Sequence, residues 1–319
     1  MSLPPRPRLA LAIPARNAEA TLPRLFESVA AQTEPFDEIW LYDDASSDRT
    51  GEMARRFGVR VVRSDVNTGP SPGKNRLAQE ARAEWVHFHD ADDALAPEFV
   101  RVARQWIARD VADVVLFGTE DRDDRTGAVL QVRSWNDGEL AADAVRHNIV
   151  HTVTNCGIYR REIFLAAGGF DVDERTKFNE DQATHLSLAL RGLRFRAADY
   201  VGCVLYQRSR SMSSGHQIEC ARAQYEVLAS VVSRTDTCYA AEIGGRLWLL
   251  AGVLGGYRDW TYARKCLDLA RRLGYDNPDG EHPAIRLMAR ISPFGAIVAR
   301  EAFIRTFKPH LRSGFPVAS

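Results

Sequence analysis

Glu84-Trp-Val-His-Phe-His-Asp-Ala-Asp-Asp93 is the stretch from which the rest of the chain can be read. Its first half is apolar and aromatic enough for a buried strand. It then delivers Asp90, Asp92 and Asp93 in quick succession before Pro97 permits a new helix. Three carboxylates at one strand end repel one another. A divalent cation relieves that repulsion, because hard oxygen ligands suit Mg2+ or Mn2+, which in turn can hold the oxygens of a diphosphate. The plainer reading is a cap for the helix beginning near Ala96, since Asp is favoured at N-caps and in first turns. One Asp would serve that purpose, so the three together favour a metal-diphosphate site.

Upstream of this stretch, residues 9–13 form a short apolar run ended by Pro14, and 20–31 show helical spacing at Leu22, Leu25, Phe26 and Val29. The pattern repeats as strand 38–42, helix 48–57, strand 59–63 and helix 72–83, and after the 85–89 strand come helix 97–109 and strand 113–118. Such alternation predicts an α/β, doubly wound, mostly parallel sheet covered on both faces, with ligands beyond the carboxyl ends of the strands. Polar clusters sit at those ends: Pro14-Ala15-Arg16-Asn17, Asp43-Asp44-Ala45-Ser46-Ser47-Asp48 and the three acids. No Gly-x-Gly-x-x-Gly follows the first strand, which weighs against a dinucleotide site. Asp43 and Asp44 can accept hydrogen bonds from a base N–H or from ribose hydroxyls. A turn with an N-cap at Ser46, Ser47 or Asp48 is the alternative, and it leaves the doubled Asp unexplained. Gly69 to Asn75 opens a helix where free N–H groups and Lys74 favour an anion or a carbonyl-bearing base, although a solvated helix start reads equally well.

Downstream, 119–133 reads as a hairpin turning at Asp124-Arg125-Thr126-Gly127, followed by helix 137–148, strand 153–159 and helix 163–169 closed by Gly168-Gly169. Phe178-Asn179-Glu180-Asp181-Gln182 opens an amphipathic helix whose first-turn acids are welcome on dipole grounds. The functional reading is a carboxylate poised there as a general base. Two strands are expected within 195–207, around 200–202. They lead into a cationic, hydroxyl-rich loop in which Arg208 or Arg210 can meet diphosphate charge and His216 can complete a metal shell; a loop His is more often simply solvated.

Beyond Gln217 the composition turns helical, with segments 221–232, 242–254 and 262–273, the last two separated by Gly255-Gly256 in the manner of one tetratricopeptide-type hairpin. The expected domains are therefore 1–216 and a C-terminal helical extension, 217–319. Residues 285–312 carry Arg286, Arg290, Arg300, Arg305, Lys308 and Arg312 against Glu301, beside Leu287, Ile291, Phe294, Val298, Phe303, Ile304 and Phe307. Docking of this stripe on the protein's own core is the favoured use, and peripheral contact with an anionic membrane surface is the other.

The 319 residues are 45% hydrophobic, and 42 basic side chains cancel 42 acidic ones, so no global field attracts nucleic acid or a membrane. Five scattered cysteines without a Cys-x-x-Cys pair argue for reduced thiols and against a zinc site or a disulfide frame. Residues 1–8 lack an apolar signal core, and the most apolar run, 247–256, is too short to span a bilayer. A cytoplasmic protein is expected.

Ile13-Pro14-Ala15-Arg16-Asn17, Asp43-Asp44-Ala45-Ser46-Ser47-Asp48, Gly73-Lys74-Asn75, Asp90-Ala91-Asp92-Asp93, Gly168-Gly169-Phe170-Asp171 and Glu180-Asp181, in this order over about residues 8–215, resemble the family 2 glycosyltransferases of the GT-A fold. The resemblance implies inverting transfer of one sugar from a nucleoside-diphosphate sugar, with a UDP-sugar the favoured donor. A hydroxyl of a saccharide or lipid-linked acceptor would receive it in polysaccharide or glycolipid assembly, with Mn2+ or Mg2+ as cofactor. Pro14 and Asp44 match positions that hold the base and its ribose, and Arg16, Asn17 and Asp43 flank them. Asp90 matches the first acid of the Asp-x-Asp signature and Asp92 the direct metal ligand. Asp181, beside Glu180, matches the catalytic base. Lys74 stands where many members have Arg, and Arg16 where an aromatic residue often stacks near the base. The Gln-x-x-Arg-Trp signature of processive synthases is absent, which favours single-sugar addition. Two competing functions are a sugar-nucleotide pyrophosphorylase, which would want a basic glycine-rich loop after the first strand, and a non-catalytic nucleotide-sugar-binding module using its helical tail as a scaffold.

Overall fold

The sheet grows outward from β1 (Leu9–Ala15), every residue of which is buried, in the computed structural model, which describes residues 6–208, 215–235, 237–275 and 282–312. After β1 come α1 (Leu22–Ala30), β2 (Glu38–Asp44), α2 (Thr50–Arg56), β3 (Arg60–Ser64), α3 (Pro70–Glu80), β4 (Trp85–Phe88), β5 (Ala94–Leu95), α4 (Phe99–Arg109) and β6 (Val114–Asp123). β7 (Val129–Arg133), α5 (Asp137–Ala142), α6 (Ala144–Val150), β8 (Gly157–Arg160), α7 (Arg161–Ala166), α8 (Glu180–Leu190) and β9 (Phe195–Gln207) follow. The remaining helices are α9 (Gln217–Thr235), α10 (Ala240–Gly256), α11 (Trp260–Arg272), α12 (Pro283–Ile291) and α13 (Pro293–Phe307). Residues 1–147, 153–172 and 184–211 form one unit, and residues 148–152, 173–183 and 212–319 form a second.

The sheet of the first unit has the order β3-β2-β1-β4-β8-β6-β9-β5, with β7 paired to β6. β1 pairs in parallel with β2 and β4, β2 with β3, and β6 with β9. β8 is inserted antiparallel between β4 and β6, so β6 still runs in the direction of β4. The mainly parallel α/β sheet expected from strand-helix alternation is therefore present, with reversal confined to β8, β5 and β7. Helices cover both faces. Leu22, Leu25, Phe26, Phe99, Ala103 and Ile107 close one core, and Leu77, Ala78, Phe164, Phe170 and Leu188 close the other.

Several expected boundaries shift, each for a local reason. The two strands expected in 195–207 are one strand, because β9 keeps pairing with β6 and absorbs the irregularity as register shifts beside Gly118. The helix expected over 137–148 breaks at Asp143, whose backbone is extended (φ −154°, ψ 90°). The strand expected from Val153 begins only at Gly157. The loop after Arg208, with Arg210, lies outside the described residues.

The cysteine expectation is overturned for one pair. Cys156 precedes β8 and Cys203 lies on β9, the two strands that flank β6, and their sulfurs form a disulfide with Cα atoms 6.3 Å apart. A sequence separation of 47 residues hid this neighbourhood. Cys220, Cys238 and Cys266 are free thiols.

In the second unit, α10 buries Ile243, Leu247, Ala251 and Leu254, and α11 buries Ala263, Cys266, Leu267 and Ala270. Glu301 on α13 is 1% exposed and meets Arg305 and Arg312. The stripe of residues 285–312 docks only in part. Ala289, Ala296 and Ile297 are buried, whereas Leu287 (63%), Ile291 (87%), Phe303 (53%) and Phe307 (70%) stay exposed. Among the described residues, no helix is long and apolar enough to cross a membrane.

Candidate active site

The carboxyl ends of β1 and β2 are knitted together through side chain to backbone hydrogen bonds. Asn17, with φ at +49°, accepts at Oδ1 from the Ser47 N–H (2.9 Å) and donates its own N–H to Ser46 Oγ (3.0 Å). Thr50 Oγ1 accepts from the Ala18 N–H at 2.8 Å, and Asp48 Oδ2 accepts from the Glu19 N–H at 3.1 Å. Asn is among the few residues that tolerate left-handed backbone, so the turn after β1 is one that its sequence permits. Pro14 is buried within β1, while Arg16 and Asn17 are exposed at its end.

The doubled Asp divides its work. Asp43 is fully buried, ion-paired with Arg63 and bonded to the Ser46 N–H at 3.0 Å, so its carboxylate holds the turn. Asp44 reaches the other way, accepting from Thr68 N–H (2.7 Å), Thr68 Oγ1 (3.1 Å) and Gly69 N–H (2.9 Å). Since Gly69 (φ +87°) is the N-cap of α3, Asp44 fixes where that helix starts. Lys74, on the same helix, is 1% exposed; its ammonium lies 3.7 Å from Asp90 Oδ1 and 4.8 Å from the Phe170 ring centre. Asn75 clamps the Gly168-Gly169-Phe170-Asp171 segment, accepting from Phe170 N–H at 2.7 Å and donating to its carbonyl at 3.0 Å. Gly169 has φ +73°, and an added Cβ there would collide with Asn75 Oδ1, which together account for the glycine.

At the end of β4 the backbone is pinned by its peptide groups. The His89 N–H donates to Ala12 O (3.0 Å), Thr21 Oγ1 donates to Ala91 O (2.8 Å), and Arg24 donates to Asp92 O (2.6 Å). The carboxylates are then parted. Asp90 and Asp92 have side chains 52% and 44% exposed. Asp93 turns inward and accepts from the Tyr206 N–H at 2.8 Å. Burial, reinforced by Asp90, raises Asp92 above the ordinary aspartate range, against the pull of Arg208 and Arg24. Burial, with Asp92 and Asp90, raises Asp93 well above it. Two partly exposed carboxylates, one of them made costly to ionise by burial and then by the other, suit a divalent cation with oxygen preference.

Arg208 lies 4.0 Å from Asp92 and shares Asp124 with Arg24, at 3.0 and 2.6 Å. Arg24 also stacks over Tyr206, 3.6 Å from the ring centre. Sequence reading missed Arg24 and Asp124, since an Arg on the polar side of α1 and an Asp in a hairpin turn carry no distinguishing local signal. It also missed His87 and His89, fully or almost fully buried, because they read as part of an aromatic strand. Burial lowers both to about 3, His89 adding to the effect on His87 and Lys74 to that on His89.

Glu180, Asp181 and His216 belong to the second unit. Glu180 and Asp181 form the first turn of α8, where Gln182 accepts from Asn179 (2.7 Å) and donates to Asn148 O (2.9 Å). His216 is exposed, 4.9 Å from the Phe178 ring and 3.9 Å from Glu219.

Residues 10–166 match the model of glycosyl transferase family 2. The succinoglycan biosynthesis protein ExoU of Rhizobium meliloti is 24% identical over 294 residues, covering 85% of this chain and 82% of that protein. An uncharacterized glycosyltransferase of Haemophilus influenzae is 34% identical over 91 residues, 28% of this chain, and the chain spans only 31% of that relative's length. Among solved structures, Staphylococcus aureus TarS 1–349 in complex with UDP-GlcNAc has a TM-score of 0.70 at 18% identity, covering 94% of this chain and 92% of that one. The mannosyltransferase PcManGT of Pyrobaculum calidifontis, in complex with GDP-Man and Mn2+, has a TM-score of 0.60 at 19% identity, covering 97% and 85%. The likeness to both establishes the GT-A fold.

The state of Asp93 gives a pH signature. Its folded form holds a proton more tightly than the unfolded chain does, so its favourable contribution is complete below the unfolded aspartate range, about pH 4, and is lost as pH rises through the elevated folded value. Asp93→Asn, which keeps an acceptor for Tyr206, is expected to melt at a higher temperature than the parent at pH 7, with the difference shrinking on acidification. Thermal unfolding across pH checks this; an equal or larger advantage below pH of about 4 refutes it.

Proposed function

Because the chain belongs to the family 2 glycosyltransferases through its residues 10–166, we propose that it moves one sugar, with inversion, from a nucleoside-diphosphate sugar to a hydroxyl acceptor in polysaccharide or glycolipid assembly. A UDP-sugar is the proposed donor and a saccharide or lipid-linked molecule the proposed acceptor. The observation that carries this reading is the Asp90-Asp92 pair at the end of β4, partly exposed and electrostatically strained, with Lys74 and Arg208 beside it. In this reading residues 1–216 are the catalytic domain and 217–319 a helical extension.

Displacement at an anomeric carbon needs a proton removed from the acceptor hydroxyl and negative charge accepted on the departing diphosphate. Asp92 and Asp90 would hold Mn2+ or Mg2+, which when bound neutralises that charge; His216 is a proposed further ligand. Arg208 adds a guanidinium for phosphate oxygens. Asp44 spends three hydrogen bonds on Thr68 and Gly69, and a carboxylate with about four acceptor sites retains capacity for a ribose hydroxyl. Asp43 supports that arrangement by fixing the turn, and Pro14, Arg16 and Asn17 border the proposed base position. Asp181, with Glu180 next to it, is the proposed general base.

A positioned base contributes about 100- to 10,000-fold. Asp181→Asn is therefore expected to lower turnover at least about 100-fold while leaving donor affinity, measured by calorimetry, unchanged. Near-normal turnover removes Asp181 from the mechanism. Incubation with a panel of UDP-sugars and Mn2+ is expected to release UDP slowly. Chelation or Asp92→Asn should suppress that release, and only the former is restored by added Mn2+. Binding without release would favour the scaffold function, and pyrophosphate-dependent formation of nucleoside triphosphate would favour the pyrophosphorylase.

Localisation on the cytoplasmic side of a membrane, through residues 285–312, is also proposed. It is supported by the exposed Leu287, Ile291, Phe303 and Phe307 together with the exposed Arg290 and Lys308. Co-sedimentation with vesicles rich in anionic lipid is expected to fall when Phe303 and Phe307 are both replaced by Asp. Equal sedimentation of the two proteins refutes the contact.

A further inference from the structure

The core beside the acidic loop contains a constellation that neither the fold nor the proposed transfer reaction requires. His87 on β4 and His89 just past its end are in contact through their rings and are 0% and 2% exposed. Cys156 and Cys203 are each 1% exposed. One ligand-capable atom from each of His87, His89 and Cys203 lies within 4.8 Å of the other two, and Cys156 is bonded directly to Cys203. Among the described residues it is the single group of three or more such side chains whose ligand atoms all lie that close together.

Two imidazoles are an expensive filling for a core built from Phe99, Phe117 and Ile158. Burying a polar ring without full hydrogen bonding is costly in protein interiors, and an apolar side chain would avoid that cost. His87 Nδ1 stands 2.8 Å from the Gly157 carbonyl and must donate to it, which leaves the lone pair on Nε2. That Nε2 faces His89 Nδ1 at 3.1 Å. Nitrogens bound at about 2.0 Å to one tetrahedral ion lie about 3.3 Å apart, so the pair needs little adjustment to share a metal. An imidazole whose second nitrogen donates to a backbone carbonyl is also the usual arrangement of a ligating histidine. Among the described residues, His89 Nε2 has no hydrogen-bond partner.

We propose that His87, His89, Cys156 and Cys203 form a buried four-coordinate Zn2+ site when the Cys156–Cys203 bond is reduced, the disulfide and the metal being alternative occupants of one place. A thiol reductant supplies two electrons: the S–S bond breaks, the reductant becomes a disulfide, and each cysteine sulfur gains a proton. Zn2+ then displaces both thiol protons to solvent. Two thiolates and two neutral imidazoles give the bound ion no net charge, which suits an apolar surrounding, and the soft sulfur donors select Zn2+ over the Mg2+ or Mn2+ that carboxylates prefer. Because β4 runs directly from this cluster into Asp90, occupancy would stiffen the base of the acidic loop.

The full chain, refolded in a phosphine reductant with Co2+ in place of Zn2+, is the test. The expected result is one thiolate-bound cobalt per chain, seen as a thiolate-to-cobalt charge-transfer band and the intense visible bands of a tetrahedral ion. The same spectrum is expected in Asp92→Asn and is lost in Cys203→Ser and in His89→Phe. X-ray absorption of the zinc form should show two sulfur and two nitrogen neighbours. A folded, reduced parent protein with no thiolate-bound cobalt overturns the proposal. So does a charge-transfer band unchanged in Cys203→Ser, which would assign the metal to other cysteines.

Discussion

The structure depends on a conflict at the end of β4. Four residues, all buried, run between β1 and β8, and the chain must pass from that dry interior straight into three acids. Repulsion among the carboxylates would unravel the turn were its backbone left to water. Instead the peptide groups are held from behind by Ala12, Thr21 and Arg24, so the loop keeps its shape whatever its side chains do. The acids then diverge: Asp93 inward to Tyr206, Asp90 toward Lys74, Asp92 toward Arg208. A site that must accept and release a cation needs this separation between what fixes the backbone and what meets the ligand.

The neighbouring loops follow the same logic. Asp43 and Asp48 are spent on holding turns, and Asn17 and Ser46 on joining them. Asp44 ties the end of β2 to the start of α3, and Asn75 ties α3 to the segment ending in Phe170, whose ring faces Lys74. One path of short contacts thus runs from β2 to the cation at Lys74. Alteration of Asp44 would be felt there as well as at the ribose position proposed for it.

How much of this was legible in the sequence depended on the range of the interaction. Strand-helix alternation through Asp113 reports local periodicity, and it yielded the sheet of the first unit. Acids placed at the carboxyl ends of β2 and β4 announced themselves because carboxylates are costly in a turn that does not use them. The difference between Asp43 and Asp44 was not legible, since it rests on Arg63 lying on one side and Thr68 on the other. The disulfide was hidden because β8 enters the sheet out of chain order, bringing Cys156 next to a strand that comes much later. Arg24 was hidden because its partners, Asp124 and Tyr206, arrive from distant segments. His87 and His89 passed as part of an aromatic strand, where nothing local separates a packing ring from a ligating one.

The uncovered side of α12 and α13 bears on the handling of the protein. Aromatic rings at Phe303 and Phe307 with centres 5.0 Å apart, and Ile291 almost wholly in water, form a sticky patch on an otherwise charge-balanced molecule. Zero net charge gives little colloidal repulsion to keep such patches apart. Concentrated stocks will therefore favour clumping and adsorption to plastic, and a mild detergent or added arginine should be a better storage additive than salt, which strengthens apolar contacts.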